Sequence, residues 1–469
     1  MHRRGTGLGR DLPRSQLMKP LVGYAAYLPG YRLAGADIGV RRGDRVVAAF
    51  DEDSTTMAVA ASAAIPRAHL ANALYFATST PAYADKTNAT AIHAALGLPL
   101  DALAVDFCGS GRSGFAAILA AANSGGIAAS ADVRVGRPGS ADEKLGGDGA
   151  AALMFGDDQP AIAEVLAVTS LTAEFLDRWR ATTSVTGEQW EERFGAERYA
   201  DLIRAAVERV LDTAGLTGVD HVVLTCPNAG IVKRAATLVK ADKSVVSSPI
   251  GFSGACDAAL ALCGVLDTAE AGETVLMLSA VDGCDALLLR TTGALPETRQ
   301  PHPVTAQREG GVTVGHLIYL SWRGLVELEP PRRPEPDRPS GPAAGRSALW
   351  KFGLCGSKCE ECGFIHLPPA RVCKRCGATD RMAGVPVAGL RGAVATYTVD
   401  HLAYSPSPPV VSAVIDVAGG GRFTCEVADA EPERLQVGSH VEFTFRRLFT
   451  AGDVHNYFWK ARLDGRSHG

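Results

Sequence analysis

The chain has 469 residues, with 46% hydrophobic and 21% charged side chains and 47 Lys+Arg against 51 Asp+Glu, a net charge of −4. This balance excludes a disordered, collagenous or coiled-coil chain, and the absence of a global basic field argues against a nucleic-acid partner. At about 150 residues per domain the length predicts about three domains, and no apolar run reaches the roughly 18 residues that a membrane-spanning helix needs.

The basic start, MHRRGTGLGRDLPRSQLMKP, has no apolar segment behind it and so does not read as a signal peptide. Residues 1–18 are expected to be a disordered extension, with Met18 as an alternative start. Eleven cysteines without a secretory context point to thiol or metal chemistry rather than a disulfide framework, and to the cytoplasm.

From residue 19 to about 325 the chain alternates short apolar strands with alanine-rich helices, the pattern of an α/β domain. The predicted order is strand LVGYAAYLP, helix STTMAVAASAAI, strand ALYFATS, helix NATAIHAALG and strand LAVDF. A second series follows: helix YADLIRAAVERVLDTAG, strand HVVLTC, helix AGIVKRAATLVK, helix ACDAALALCGVLDTAEAG and strand TVLMLSA. Two similar series predict an internally duplicated fold. The composition then breaks at the proline-rich segment EPPRRPEPDRPSGPAAG, an expected extended linker over 326–349. Beyond the cysteine-rich stretch come five β-like runs, GAVATYTV, VVSAVIDV, RFTCEVA, HVEFTFRRLF and YFWKARL, which predict a small barrel.

Two constellations carry chemistry. Cys359-x-x-Cys362 and Cys373-x-x-Cys376, each followed by a glycine, have the spacing that places four thiolates around one tetrahedral ion. The expected metal is zinc, structural rather than catalytic because four protein ligands leave no open position. Cys355 is then a bystander and His366 a loop residue. The second constellation is Cys108, placed between an apolar strand and an apolar helix in LAVDFCGSGRSGFAAILAAANSG. There it is either a nucleophile whose thiolate is favoured by the helix N-terminus or a buried structural cysteine. Gly109, Gly111 and Gly114 would let main-chain N–H groups approach a reacting oxygen.

The ordered segments VGYAAYLPGYRL, DEDSTTMAVAA, ATSTPAYADKTNATAI, the Cys108 turn, GGDGAAALMFG, TCPNAGIVKRAA and IGFSGACDAALALCGVLDTAEAG resemble the 3-hydroxy-3-methylglutaryl-CoA synthase branch of the thiolase superfamily, relatives of ketoacyl-ACP synthase III. The tail resembles the zinc-ribbon and OB-fold modules that accompany thiolases and related synthases. The resemblance implies a duplicated thiolase fold of αβαβα layers: an N-terminal half over 19–165 and a C-terminal half over 166–325. The linker, a zinc ribbon over 350–380 and an all-β OB-fold barrel over 381–469 follow. It further implies a homodimer that takes an acyl group from CoA, or from the phosphopantetheine of an acyl carrier protein, as a thioester on Cys108, in a biosynthetic or acyl-CoA pathway. A partner thiolase or synthase subunit is also implied.

Three polar positions of that family depart. Ser79 stands where a catalytic Glu is expected, Thr225 or Cys226 where a His is expected, and Phe252 where an Asn is expected. Carbon–carbon condensation needs a base or a polar pair, whereas acyl transfer on and off a thiol needs less, so the residues favour an acyltransferase. Tyr83, Cys226 and Cys284 are weaker candidates for a substitute catalytic group, with Asp85, Lys86, His221 and Asp285 in neighbouring segments. Structural roles are the alternative for each: a surface position at strand entry for His221 and a small buried spacer for Cys284. Lys233 and Arg234 are the candidates for the CoA phosphates, and Arg112 for packing at a dimer interface. Two rival functions are a non-catalytic acyl-CoA-binding scaffold subunit and a retro-aldol or Claisen-type lyase using Tyr83.

Overall fold

The computed structural model describes residues 18–41, 43–330 and 332–464. The expected N-terminal extension therefore lies outside the described residues except for Met18, which packs against the central core.

The N-terminal half contributes strands Leu21–Tyr27 (β1), Ala73–Thr78 (β2), Leu103–Cys108 (β3), Gly126–Asp132 (β4) and Gly149–Phe155 (β5). The C-terminal half contributes Ala163–Thr172 (β6), His221–Thr225 (β7), Ser244–Val246 (β8), Thr274–Ser279 (β9) and Gly283–Thr291 (β10). They form one ten-stranded sheet in the order β8-β7-β9-β10-β6-β1-β5-β4-β2-β3. Within each half the order is third, second, fourth, fifth, first, with the middle strands parallel and the last two antiparallel. The same topology built twice is the duplication expected from the sequence. The halves meet at the β1–β6 pairing of Leu21 with Ala163.

Helices complete five layers. Helices Ser113–Ser124 (α3) and Asp257–Leu266 (α5) share one buried cluster with the inner faces of both half-sheets. They are apolar on nearly every side because they lie between the two half-sheets. Ser54–Ala63 (α1) and Ala89–Leu96 (α2) cover the outer N-terminal face, and Glu192–Ala214 (α4) covers the outer C-terminal face. Helix α4 begins seven residues before the expected YADLIR segment, and AGIVKRAATLVK forms two short helices, Ala229–Lys233 and Ala235–Leu238.

The described residues between 327 and 340 run without helix or strand. The end of the expected linker instead turns helical over Gly341–Arg346 and Ala348–Lys351, with Pro342 in the first turn, where its missing N–H costs nothing. Trp350 then packs on Phe423 and Phe458 of the barrel. The ribbon strand Cys355–Cys359 (β11) pairs with Ile365–His366 (β12) and Met382–Pro386 (β13). Each of the five β-like runs forms a strand: Gly392–Asp400 (β14), Val410–Val417 (β15), Arg422–Glu426 (β16), His440–Ala451 (β17) and Val454–Leu463 (β18). Their order is β16-β15-β14-β17-β18, and a bridge from Val427 to Ala461 closes the barrel.

The barrel is docked on the N-terminal half through buried charge. Arg446 on β17, 1% exposed, reaches Asp51 Oδ1 at 3.2 Å, Glu52 Oε1 at 2.9 Å and Asp429 Oδ2 at 2.9 Å. Its second terminal nitrogen also donates to the Tyr27 hydroxyl at 3.2 Å. Lys460 on β18 bridges Asp51 Oδ2 at 2.8 Å and Glu426 Oε2 at 2.7 Å. The Tyr457 hydroxyl donates to Asp53 Oδ2 at 2.8 Å, while Asp53 Oδ1 caps α1 by accepting from Thr56 N. Burial pushes the Glu52 carboxyl upward, and Arg446 opposes that shift. Helix α1 is buried nearly all round because one face meets the sheet and another meets the barrel.

Truncating one side of such a network leaves buried charge uncompensated, at about 3–5 kcal/mol. Arg446→Ala is therefore expected to lower the unfolding free energy by about that amount in chemical denaturation. Stability within 0.5 kcal/mol of wild type, roughly the level of an ordinary surface substitution, would contradict the docking described.

Candidate active site and metal centre

Strand β3 ends at Cys108, whose register partner on β2 is Thr78, the residue before Ser79. The turn is held by the Asp132 carboxylate at the end of β4, fully buried. Asp132 accepts five hydrogen bonds: from Thr78 Oγ1, Ser79 N, Ser79 Oγ, Thr80 Oγ1 and, across the halves, Ala255 N, at 2.6–2.9 Å. Gly254 has φ +69°, and a Cβ there would stand 2.0 Å from Asp132 Oδ2. Gly114, in the first turn of α3, has the same constraint: a Cβ would stand 1.9 Å from Ala255 O.

Cys108 is exposed, which fits a nucleophile rather than a buried structural residue. Its expected activation by the helix is corrected. Helix α3 starts at Ser113, and residues 109–112 form a turn before it, so the sulfur lies outside the first helical turn where the dipole acts. Partial desolvation, then the charges of Asp106 and Asp132, push the thiol up to about 11. Among the described residues no hydrogen bond reaches the sulfur.

The remaining predicted residues separate. Cys226 and Cys284 are buried in the apolar cluster beneath α4, and burial pushes both thiols up. Thr225 Oγ1 donates to Leu278 O. The Tyr83 hydroxyl accepts from His455 N at 2.8 Å and its ring packs on His455, which turns it toward the barrel. Lys86 bonds to Thr87 O and Thr90 Oγ1, and Asp85 is exposed. His221 is not on the surface as expected: it is buried between Ser244 Oγ and Glu273 Oε2, each at 2.8 Å. Arg112 forms a bidentate pair with Asp285 at 2.8 and 2.9 Å, tying α3 to β10 within the chain.

Side chains not singled out in the sequence surround Ser79. Arg134 Nη1 donates to Ser79 Oγ at 3.0 Å, and Arg180 Nη2 donates to Ser79 O at 2.6 Å. The guanidinium carbons of Arg134 and Arg178 lie 5.2 and 5.7 Å from the centre of the Phe252 ring. Arg178 also pairs through both terminal nitrogens with Asp142. The only sequence signal was the strand-end run Asp132-Val-Arg134, whose charges a half-buried strand would not carry without partners. Phe252 touches the Cys108 turn, its ring tip 3.4 Å from where a Gly111 Cβ would stand. Phe252 and Arg134 also line a cavity of about 100 Å³ shared with Asp142, Gln189, Glu192 and Lys233. Past Lys233 lies an open groove of about 590 Å³ bounded by Arg193, Lys233 and Arg234, with Glu192 and Glu197.

In the ribbon, the Sγ atoms of Cys359, Cys362, Cys373 and Cys376 all lie within 4.8 Å of one another. Cys359–Cys376 and Cys362–Cys373 are 3.7 and 3.5 Å apart, close to the ~3.8 Å edge of a tetrahedron with Zn–S of about 2.3 Å. Each knuckle is closed by a glycine N–H, Gly363 to Cys359 O and Gly377 to Cys373 O. The donor set and spacing fit zinc. His366 is not a loop residue but a buried one on β12, packed edge-on against Phe364.

Comparison with known proteins agrees with this architecture. Residues 384–446 match the family model of the C-terminal OB-fold domain of ChsH2. A hydroxymethylglutaryl-CoA synthase of Archaeoglobus fulgidus is 28% identical over 341 residues, covering 66% of this chain and 99% of that one. A DUF35 domain-containing scaffold protein of Methanocaldococcus jannaschii is 32% identical over 106 residues, 22% of this chain and 74% of that one. Among solved structures, the PksG HMG-CoA synthase from Bacillus subtilis superposes with a TM-score of 0.56 at 16% identity, over 66% of this chain and 92% of its own. The 3-oxoacyl-(acyl carrier protein) synthase III of Pseudomonas aeruginosa PAO1 gives 0.51 at 20% identity, over 59% and 98%. The chain belongs to the DUF35-domain proteins, and is a hydroxymethylglutaryl-CoA synthase-like chain of the thiolase superfamily fused to a zinc-ribbon and OB-fold module.

Proposed function

We propose that the protein is a condensing-type acyltransferase that uses Cys108 as its nucleophile. The thiol attacks the carbonyl of an acyl-CoA or acyl-carrier thioester, the new Cys108 thioester forms as the old C–S bond breaks, and the thiol proton passes to the departing thiolate. The acyl group then moves to an acceptor. The observation that carries this reading is the exposed Cys108 sulfur at the end of β3, in a turn whose Gly111 meets Phe252, a residue that also lines a cavity sharing Lys233 with a cation-bounded groove. That groove suits the phosphates of CoA, with Lys233 and Arg234 as their partners.

Ser79 is committed to Asp132 and Arg134, and Phe252 offers no polar atom, so neither supplies a base. General acid–base help is worth about 10²–10⁴-fold, and without it transfer is favoured over carbon–carbon bond formation. A homodimer is supported by the edge strand β3, which leaves Leu103 56% exposed and Val105 and Phe107 half-covered. A partner thiolase or synthase is supported by the relative described as a scaffold protein. The eleven cysteines, all free of disulfides, suit a reducing cytoplasm.

Intact-mass measurement after incubation with a panel of acyl-CoA thioesters tests the reading. One acyl group is expected on the wild type and none on Cys108→Ala; equal labelling of both would overturn it.

The ribbon is assigned a structural zinc, held by Cys359, Cys362, Cys373 and Cys376, which supplies a cross-link and no reaction step. Elemental analysis is expected to find one zinc per chain, and stripping it with a chelator should lower the melting temperature. A metal-free chain of unchanged stability would refute the assignment.

A further inference from the structure

We propose that Asp282 is a catalytic base at the Cys108 turn, and that the acceptor of the acyl group is a hydroxyl compound whose proton it removes. This rests on the acyl-transfer reading above and names the acceptor class of its second half.

Asp282 lies in the loop between β9 and β10, far from Cys108 in sequence. Arg112 brings that loop to the Cys108 turn: its Nη1 donates to Asp282 O at 3.0 Å, while Nε and Nη2 hold Asp285. The Ser110 hydroxyl faces the Asp282 carboxylate. Ser110 is two residues from Cys108, and two residues of chain span at most about 7 Å. The carboxylate is thereby tied to the same short turn as the nucleophile.

Four carboxylates surround that turn, and three are committed. Asp106 accepts from Asn88 N, Asn88 Nδ2 and Ala89 N at 2.7–2.9 Å, Asp132 holds five donors, and Asp285 is buried against Arg112. Of the four, only Asp282 is exposed. Its backbone is also held in an uncommon state, with φ +49°. The Tyr199 hydroxyl is hydrogen-bonded to that backbone, and a Cβ on the next residue, Gly283, would stand 2.1 Å from Leu171 O. Aspartate tolerates the left-handed region better than most residues, and such strain gathers at functional sites.

The chemistry fixes the acceptor class. As the acceptor oxygen bonds to the acyl carbon, its proton passes to the Asp282 carboxylate and the C–S bond to Cys108 breaks. The proton then moves to the departing thiolate, which leaves poorly without one because its thiol is held near 11. A carbon acceptor would instead place an enolate beside Phe252, which offers it no polar atom. Partial burial pushes the Asp282 carboxyl upward, with Glu174 adding to the shift and Ser110 and Arg112 opposing it. Asp177 and Tyr199 are the other titratable groups that face it.

The test follows loss of the acyl group that loads on Cys108 in the panel above, with water and glycerol as acceptors, by intact mass between about pH 4.5 and 8. The wild-type rate is expected to fall about tenfold per pH unit once the carboxyl is protonated. Asp282→Asn, which suits the left-handed backbone, should be slower at pH 7 by about a hundredfold or more and lack that acid limb. Hydroxylamine, a nucleophile that needs no base, should strip both adducts at equal rates. If circular dichroism shows the asparagine variant unfolded, Asp282→Gly decides in its place. Equal decay and an equal pH profile in wild type and variant would overturn the inference and leave the acyltransferase standing. Equal slowing toward hydroxylamine would overturn it by marking a structural role. No loading of the wild type by any thioester would overturn the acyl-transfer reading itself.

Discussion

The Asp132 carboxylate organises the site. It is fully buried, and it closes the ends of β2 and β4 onto each other while reaching across to Ala255 in the opposite half. Hydrogen bonds to a charged acceptor are worth about 1.5–3 kcal/mol each, and a buried carboxylate with fewer donors would be a liability. Its presence forces other choices. Gly254 has no room for a side chain, Ser79 must spend its hydroxyl on the carboxylate, and Arg134 is drawn to the same turn. The cost falls on Cys108, whose thiol is held high by partial desolvation and by the carboxylates of Asp106 and Asp132. The site is therefore built for access and positioning, with little help to ionisation.

A second carboxylate cluster governs the larger architecture. The run Asp51-Glu52-Asp53 caps α1 and simultaneously receives Arg446, Lys460 and Tyr457 from the barrel. The barrel is thus continuous with the core of the N-terminal half rather than hanging from a tether, and the cluster that holds α1 also contains Phe445, Tyr457 and Trp459. Even Tyr83, in the loop that follows β2, is bonded to the barrel backbone at His455. The loop that follows β2 is thus in direct contact with the barrel.

What could be read in advance follows the range of the interactions. The Cys359–Cys376 knuckles and the alternating strands of the barrel are local patterns, and both were legible in the sequence. The duplication was legible because each half repeats its own strand and helix series. Features that depend on distant partners were not. Arg446 carries no local sequence signal, because its partner Asp51 lies 395 residues away in the chain. His221 reads as a surface residue and His366 as a loop residue, but one is clasped by Ser244 and Glu273 and the other is buried on a ribbon strand. The Cys108 turn was misjudged for a geometric reason: glycine and serine at 109–111 delay the start of α3 to Ser113, which moves the dipole away from the sulfur. Arg134 has no sequence motif, and its contacts exist only once Ser79 and Phe252 are brought to it.

The most direct measurement is the pH profile of Cys108 alkylation in the wild type and in Asp132→Asn, with thermal unfolding alongside. The wild-type rate should climb about tenfold per pH unit from pH 7 toward 10, because only the thiolate reacts and the thiol is held near 11. Removing the negative charge should shift that profile to lower pH, and replacing a carboxylate oxygen by an amide donor facing Ala255 N should lower the melting temperature. An unchanged profile together with unchanged stability would contradict the place given to Asp132.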